Sequence, residues 1–277
     1  VVTVRCVQSR STLTGMSAAD FPEMKDLTET FGLHLPQKRL REMINKTVFA
    51  IAQQESRPAL TGCLMEVTKD EMRLVGLDGF RLALQRVHED FVLPEGKGQL
   101  SAIIPGHVMS EMARIMTDED IDVTFHMDAT HLMAVLGKTT LVTALLAGDY
   151  IDYKQILPTA WLSRVTVKKA ELMDAIDRAS LIAREGKNNL IRLSASGDVL
   201  RITSVSEMGD VLEELGMNLE GEEIEIAFNA KYLGDIVKNI DDECLTMSMN
   251  TNVSPCVITP VSGDSFLYLV LPMRVYN

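Results

Sequence analysis

Apolar positions along this chain alternate between two rhythms. Within residues 31–52 a short period-two stretch, Leu33 and Leu35, gives way to Leu40, Met43, Ile44, Thr47, Val48 and Ile51. That second spacing, i, i+3/i+4, i+7, puts one face of a helix inside. About 130 residues further on, within 162–183, Val165 and Val167 alternate, and Leu172, Ala175, Ile176, Ala179 and Ala183 return to the helical period. Strand-like segments follow each helix, at 60–67, 72–77 and 81–87 in the first case and at 190–195, 199–205 and 211–215 in the second. A shorter amphipathic helix comes next, over 107–116 with Val108, Met109, Met112 and Ile115, and over 230–240 with Leu233, Ile236, Val237 and Ile240. Each half closes on strands, 121–125, 132–136 and 141–145 against 244–249, 257–259 and 266–271. The order strand, helix, strands, helix, strands occurs twice, which predicts two homologous α+β domains.

At 277 residues the chain has room for two domains, each with its own core. Segment 11–22 (STLTGMSAADFP) resembles 139–152 (TTLVTALLAGDYID), the tail of the first copy. Residues 1–24 therefore read as the last hairpin of a further copy, and the chain, which opens on Val in mid-alternation, as part of a three-domain protein. An ordinary N-terminal hairpin is the alternative. The expected division is 1–24, 25–157 and 158–277.

Composition changes the picture only through charge. Lys and Arg number 27 against 39 Asp and Glu, a net charge of −12 that, evenly spread, argues against a polyanionic partner. The charge is not even. The first long helix carries Lys38, Arg39, Arg41 and Lys46 against Glu42; the second carries Lys168, Lys169, Arg178 and Arg184 among three acids; the short helices add Arg114, Lys231 and Lys238. Acid collects in 118–122, 213–225 and 241–243. A basic helical face on an acidic protein can hold a polyanion loosely while the rest repels it; solvated sides of amphipathic helices are the plainer alternative.

Catalytic chemistry is hard to find. Cys6, Cys63, Cys244 and Cys256 form no CxxC pair, which fits reduced thiols in a cytoplasmic protein without a metal or cofactor. No apolar run approaches the ~20 residues of a membrane span. GxGxxG, P-loop, GxSxG and HExxH motifs are all missing. His126 and His131, five apart in strand territory, are expected on opposite faces, unable to share a metal. Asp78-Gly79 reads as a hairpin turn, since both residues accept positive φ. The residues favour a binding or scaffold protein over an enzyme.

Several segments taken together carry a resemblance: Ala19-Asp20-Phe21-Pro22, the run 77–83 (LDGFRLA), 152–158 (DYKQILP), 228–233 (FNAKYL) and 268–274 (YLVLPMR). In this order they resemble the bacterial DNA polymerase III beta subunits, the replicative sliding clamps, over essentially the whole chain. The resemblance implies tandem clamp domains, each with two helices on one face and antiparallel sheets on the other, closing head to tail as a homodimer around double-stranded DNA. It implies phosphate-directed, sequence-independent inner contacts that permit sliding, no catalysis and no cofactor.

It further implies a hydrophobic cleft between the second and third domains. There the polymerase alpha subunit, the clamp-loader delta subunit and other proteins bearing clamp-binding motifs would insert short peptides. The matching positions are Leu60, Leu77, Gly79, Phe80, Arg81, Leu82, Ile151, Gln155, Ile156, Asn229, Tyr232, Val253, Pro255, Leu269, Val270, Leu271, Pro272, Met273 and Arg274. Where the family commonly has histidine, proline and arginine, this chain has Phe80, Ile151 and Gln155, which predicts a less polar subsite. The DNA-facing set implied is Lys38, Arg39, Arg41, Lys46, Gln54, Arg57, Arg114, Lys168, Lys169, Arg178, Lys231 and Lys238, weakened at Gly106 and His107; Ile182 and Ala183 would form the ring contact. Two other readings remain open at this point: a stand-alone peptide-binding module, and a hydrolase built around Asp78 and Asp152.

Overall fold

In the computed structural model the described residues are 1–20, 27, 29–54, 57–118 and 121–274. Phe21 and Pro22 of the first motif, and Glu119 and Asp120 of an acidic run, lie outside them. The chain opens on a hairpin, β1 (Val2–Cys6) and β2 (Ser9–Leu13), paired only to each other and exposed throughout. The first copy of the repeat then runs β3 (Glu29–Pro36), α1 (Gln37–Val48), β4 (Gly62–Val67), β5 (Met72–Leu77), β6 (Arg81–Val87), β7 (Leu100–Pro105), α2 (Gly106–Ile115), β8 (Asp122–Met127), β9 (His131–Leu136) and β10 (Thr139–Ala144). The second runs β11 (Ser163–Lys168), α3 (Lys169–Glu185), β12 (Leu190–Ser196), β13 (Val199–Ser206), β14 (Gly209–Gly221), β15 (Ile224–Asn229), α4 (Ala230–Lys238), β16 (Cys244–Met249), β17 (Cys256–Pro260) and β18 (Phe266–Val270).

The repeat expected from periodicity is present, with one strand more per copy. β7 and β15 escape the pattern because LSAIIP is a short apolar run behind a Gly-rich loop, and IEIAFN sits in the acidic stretch that masks its alternation. β14 extends well past 215, pairing first with β13 and then, through residues 217–221, with β11. The expectation for His126 and His131 fails for a topological reason. They lie on β8 and β9, where the chain reverses at Asp128–Thr130; His126 pairs with Met133, two residues along from His131, so both occupy the same half-exposed face. Among the described residues no cluster of ligating side chains accompanies them.

Each pair of helices packs together on one side of its sheets, α1 with α2 and α3 with α4. Alternate positions on the helices and strands fill two separate cores, Leu40, Met43, Ile44, Met65, Leu74 and Phe125 in the first copy and Leu172, Ile176, Phe228, Leu233, Ile236 and Met247 in the second. Gly76 brings α1 down onto β5: a Cβ there would stand 2.9 Å from the Thr47 carbonyl oxygen. No helix among the described residues is long and apolar enough to cross a membrane.

The copies join edge to edge. β18 pairs antiparallel with β6, Leu269 opposite Leu82 and Tyr268 opposite Ala83, so a twelve-stranded sheet runs through both. A third apolar cluster lies at this joint, with Leu60, Leu64, Val75, Leu77, Leu82, Leu84 and Ile103 from the first copy and Val257 and Leu269 from the second. The connecting segment covers it with Tyr150, Ile151, Tyr153 and Leu157. Two phenols pin that segment: Tyr150 donates to the Val75 carbonyl at 3.2 Å and Tyr153 to Glu66 at 2.6 Å. Burial and the Glu66 carboxylate push the Tyr153 hydroxyl up to about 12, which keeps it a donor.

Candidate functional site

The residues expected to line a cleft come from both copies. Leu60, Leu77, Leu82 and Leu269 are buried in the apolar cluster at the joint, with Ile151 half-buried against it. Phe80, Ile156, Val253 and Leu271 are exposed, and Pro255, Pro272 and Met273 are half-buried. The tail after β18 forms a wall because its backbone is tied on both sides: Leu271 N–H donates to the Phe80 carbonyl at 2.9 Å and Met273 N–H to Ala227 of β15 at 2.7 Å. Arg274 and Gln155 are exposed, the latter donating to Asp152 at 2.8 Å.

The turn that presents Phe80 is the one expected at Asp78-Gly79. Gly79 adopts φ +90°, and the Asp78 carboxylate accepts from the backbone N–H groups of Phe80 at 2.9 Å and Arg81 at 3.0 Å. Asp78 thereby spends its acceptors on the turn and on Arg81, which leaves nothing of the hydrolase reading at that residue. Phe80 is 55% exposed and its ring lies against Tyr232 of α4, centroids 5.6 Å apart and 20° from parallel.

Three residues of the expected cleft have other work. Val270 is wholly inside the second core, because in strand β18 its parity is opposite to that of Leu269. Asn229 caps α4, accepting from Lys231 N–H at 2.9 Å and donating to the Asn188 carbonyl at 3.0 Å. Asn229→Ala is expected to cost about 1 kcal/mol, read from thermal or denaturant unfolding. Arg81 is only 9% exposed, and its guanidinium is fully engaged: Nε on Asp78 at 3.0 Å, the two terminal nitrogens on Asp235 at 2.5 Å and on the Phe49 carbonyl at 2.8 Å.

The residues expected to face DNA are not all alike. Lys38, Gln54, Arg57 and Lys238 are exposed, Lys169 partly so; Arg39, Arg114 and Lys168 are exposed but paired with Glu42, Glu111 and Glu171 three residues away. Lys231, paired with Asp235 at 2.9 Å, and Lys238 line a groove of about 630 Å³ between α3 and α4, together with Arg184. Arg41 and Lys46 are instead committed to ion pairs, Arg41 with Asp118 and Lys46 with Asp241 at 2.6 Å across the joint. Arg178 turns toward the sheet, its two nitrogens 2.9 and 2.7 Å from the Glu213 carboxylate on β14, which holds that carboxyl below the usual range. His107 is exposed at the start of α2 and Gly106 opens that helix.

Of the two residues expected at a ring contact, helical phase places one inside. Ala183 is 1% exposed and belongs to the core, Ile182 is half-buried, and Leu181 beside them is 63% exposed. The periodicity that marked Ala179 and Ala183 as core already excluded Ala183 from a surface.

Duplicated two-helix units joined through a continuous sheet, with an apolar cluster at the seam, form a fold shared with solved sliding clamps. The sliding clamp of Bacillus subtilis superposes with TM-score 0.91 at 30% identity, covering 99% of this chain and 72% of that one. The DNA polymerase III beta subunit of Thermotoga maritima gives 0.87 at 28%, covering 99% and 74%. In sequence, the beta sliding clamp of Staphylococcus aureus is 33% identical over 270 residues, 97% of this chain and 71% of the relative. Family profiles described as the central and C-terminal domains of the DNA polymerase III beta subunit match residues 34–152 and 154–274. The chain belongs to the DNA polymerase III beta subunit family, the bacterial sliding clamps, and is not an enzyme.

Proposed function

We propose that this clamp tethers replication proteins to duplex DNA, receiving their peptides in the cleft at the β6–β18 joint. The observation that carries the reading is an apolar cluster shared by two domains, together with the exposed apolar residues Phe80, Ile156, Val253 and Leu271. Such a surface would suit a short peptide with aliphatic and aromatic side chains, with Met273 adapting to it. The occupants would be segments of the Gln-x-x-Leu/Met-x-Phe kind from the polymerase alpha subunit, the clamp-loader delta subunit and repair proteins. With Phe80, Ile151 and Gln155 lining it, the site should prefer apolar over acidic flanks. In this reading residues 25–157 and 158–277 are the central and C-terminal clamp domains, 1–24 ends a first one, and the protein works in the cytoplasm at the nucleoid.

Ring closure finds support in the repeat itself. β6 and β14 hold the same place in their copies, and the outer edge of β6 takes β18, the last strand of the next copy. On β14, residues 209–216 pair with β13, and among the described residues no strand lies on their other edge; exposed Val205, Met208, Leu212 and Leu181 surround it. By the internal rule the strand to fill that edge is the last strand of a copy, the place β2 occupies, supplied by a second chain head to tail. Duplex DNA inside would meet the exposed lysines and arginines of α1–α4, a loose and salt-sensitive contact.

A fluorescent peptide of the stated class, titrated by anisotropy, tests the cleft. Saturable binding that is lost on removing residues 273–277 is expected; no binding, or binding indifferent to that removal, sinks the reading.

A further inference from the structure

The exposed Phe80 ring and the half-buried Tyr232 ring come from different domains, and something must hold one against the other. We propose that Asp235, on α4, is a positioning residue for the peptide cleft, acting through Arg81 to fix Tyr232 against Phe80. The inference rests on the peptide-binding reading above and assigns to that site a residue outside it.

Arg81 leaves the turn that presents Phe80 and reaches across the joint. Two of its three anchors, Asp78 and the Phe49 carbonyl, belong to its own domain. The third is Asp235 at 2.5 Å, the one hydrogen bond from the guanidinium to the other domain among the described residues. The guanidinium carbon also lies over two aromatic rings, 4.9 Å from the Tyr232 centroid and 5.4 Å from that of Phe49. Tyr232 and Asp235 lie three apart on α4, so they share a face of that helix and move with it. The Asp235 carboxylate therefore sets where α4 stands relative to the Asp78–Arg81 turn, and with it the separation of the two rings. Lys231 donates to the same oxygen at 2.9 Å, and the two cations outweigh burial to hold the carboxyl below its ordinary range. A guanidinium with all three nitrogens placed has one orientation, whereas one anchored only within its own domain no longer fixes the spacing of α4 from the turn.

The test is a double-mutant cycle on peptide affinity, with Asp235→Asn, Arg81→Met and the pair, using the same fluorescent peptide. Asp235→Asn is expected to weaken binding about fivefold or more, the scale on which groups coupled through a shared partner act. In the Arg81→Met background it should change affinity by less than about twofold, because its route is gone. Asp177→Asn, on α3 across the groove, should leave binding as it was. If Asp235→Asn does not fold, Asp235→Glu, whose extra methylene displaces the carboxylate, should still weaken binding about twofold or more at an unchanged thermal midpoint. Wild-type affinity in the folded Asp235 variant, or an equal loss with and without Arg81, overturns the inference. No binding by the wild-type chain removes the cleft reading itself, a result told apart from the others by the first titration.

Discussion

Truncating Tyr268 to alanine is expected to cost about 3–5 kcal/mol of folding free energy, the range for emptying a large aromatic from a packed core. Tyr268 is fully buried on β18, between the rings of Phe49 at 5.8 Å and Phe266 at 5.2 Å, so the void would open at the domain joint. Its hydroxyl adds a polar share. Gln85 donates to it at 2.9 Å, and its proton faces the carbonyls of Lys46 in α1 and Asn239 after α4, at 3.3 and 3.2 Å. Burial pushes the phenol well up, which keeps it a protonated donor near neutral pH. Tyr268→Phe keeps the ring and should cost about 1–2 kcal/mol, from stranding the buried Gln85 amide and two carbonyls. Denaturant unfolding separates the two effects. An alanine variant no less stable than the phenylalanine variant would show that the joint does not depend on this ring.

Removing Arg81 should be nearly as damaging. Arg81→Met leaves the carboxylates of Asp78 and Asp235 and the Phe49 carbonyl without their shared cation, and breaking a buried pair from one side costs about 3–5 kcal/mol. Asp235 is a third exposed, so water offsets part of this and about 3 kcal/mol is the expected loss. Lysine should restore little, because one ammonium cannot reach acceptors in a turn, a helix C-terminus and α4 at once. Since the tie spans two domains, the unfolding curve should split into two transitions rather than shift as one. A single transition at the wild-type midpoint would mean that the sheet pairing alone couples the domains.

These two residues show where sequence reading stops. As a sequence match Arg81 belonged to a peptide cleft, and only its partners reveal it as a link between domains. Asp235 carries no signal in the sequence pattern, and its bond to Arg81 joins residues 154 apart. Ala183, expected at a ring contact, is buried in the core, as its helical phase with Ala179 requires. His126 and His131 share a face because the chain reverses between them, which counting residues along one strand cannot see.

What the sequence determined is the part governed by local periodicity: the twofold repeat, the four helices and their buried faces, the Asp-Gly turn, and the uneven spread of a net charge of −12. Those follow from which side chains water excludes along one element, and neighbours in sequence suffice to express it. Tertiary structure alone decided that β6 completes its sheet with β18 rather than within its own copy, that a separate apolar cluster forms there, and that basic residues such as Lys46 and Arg178 are spent on ion pairs. The reason is physical. Strand pairing and ion pairing join groups far apart in the chain, and which edge or carboxylate is within reach depends on how two finished domains meet.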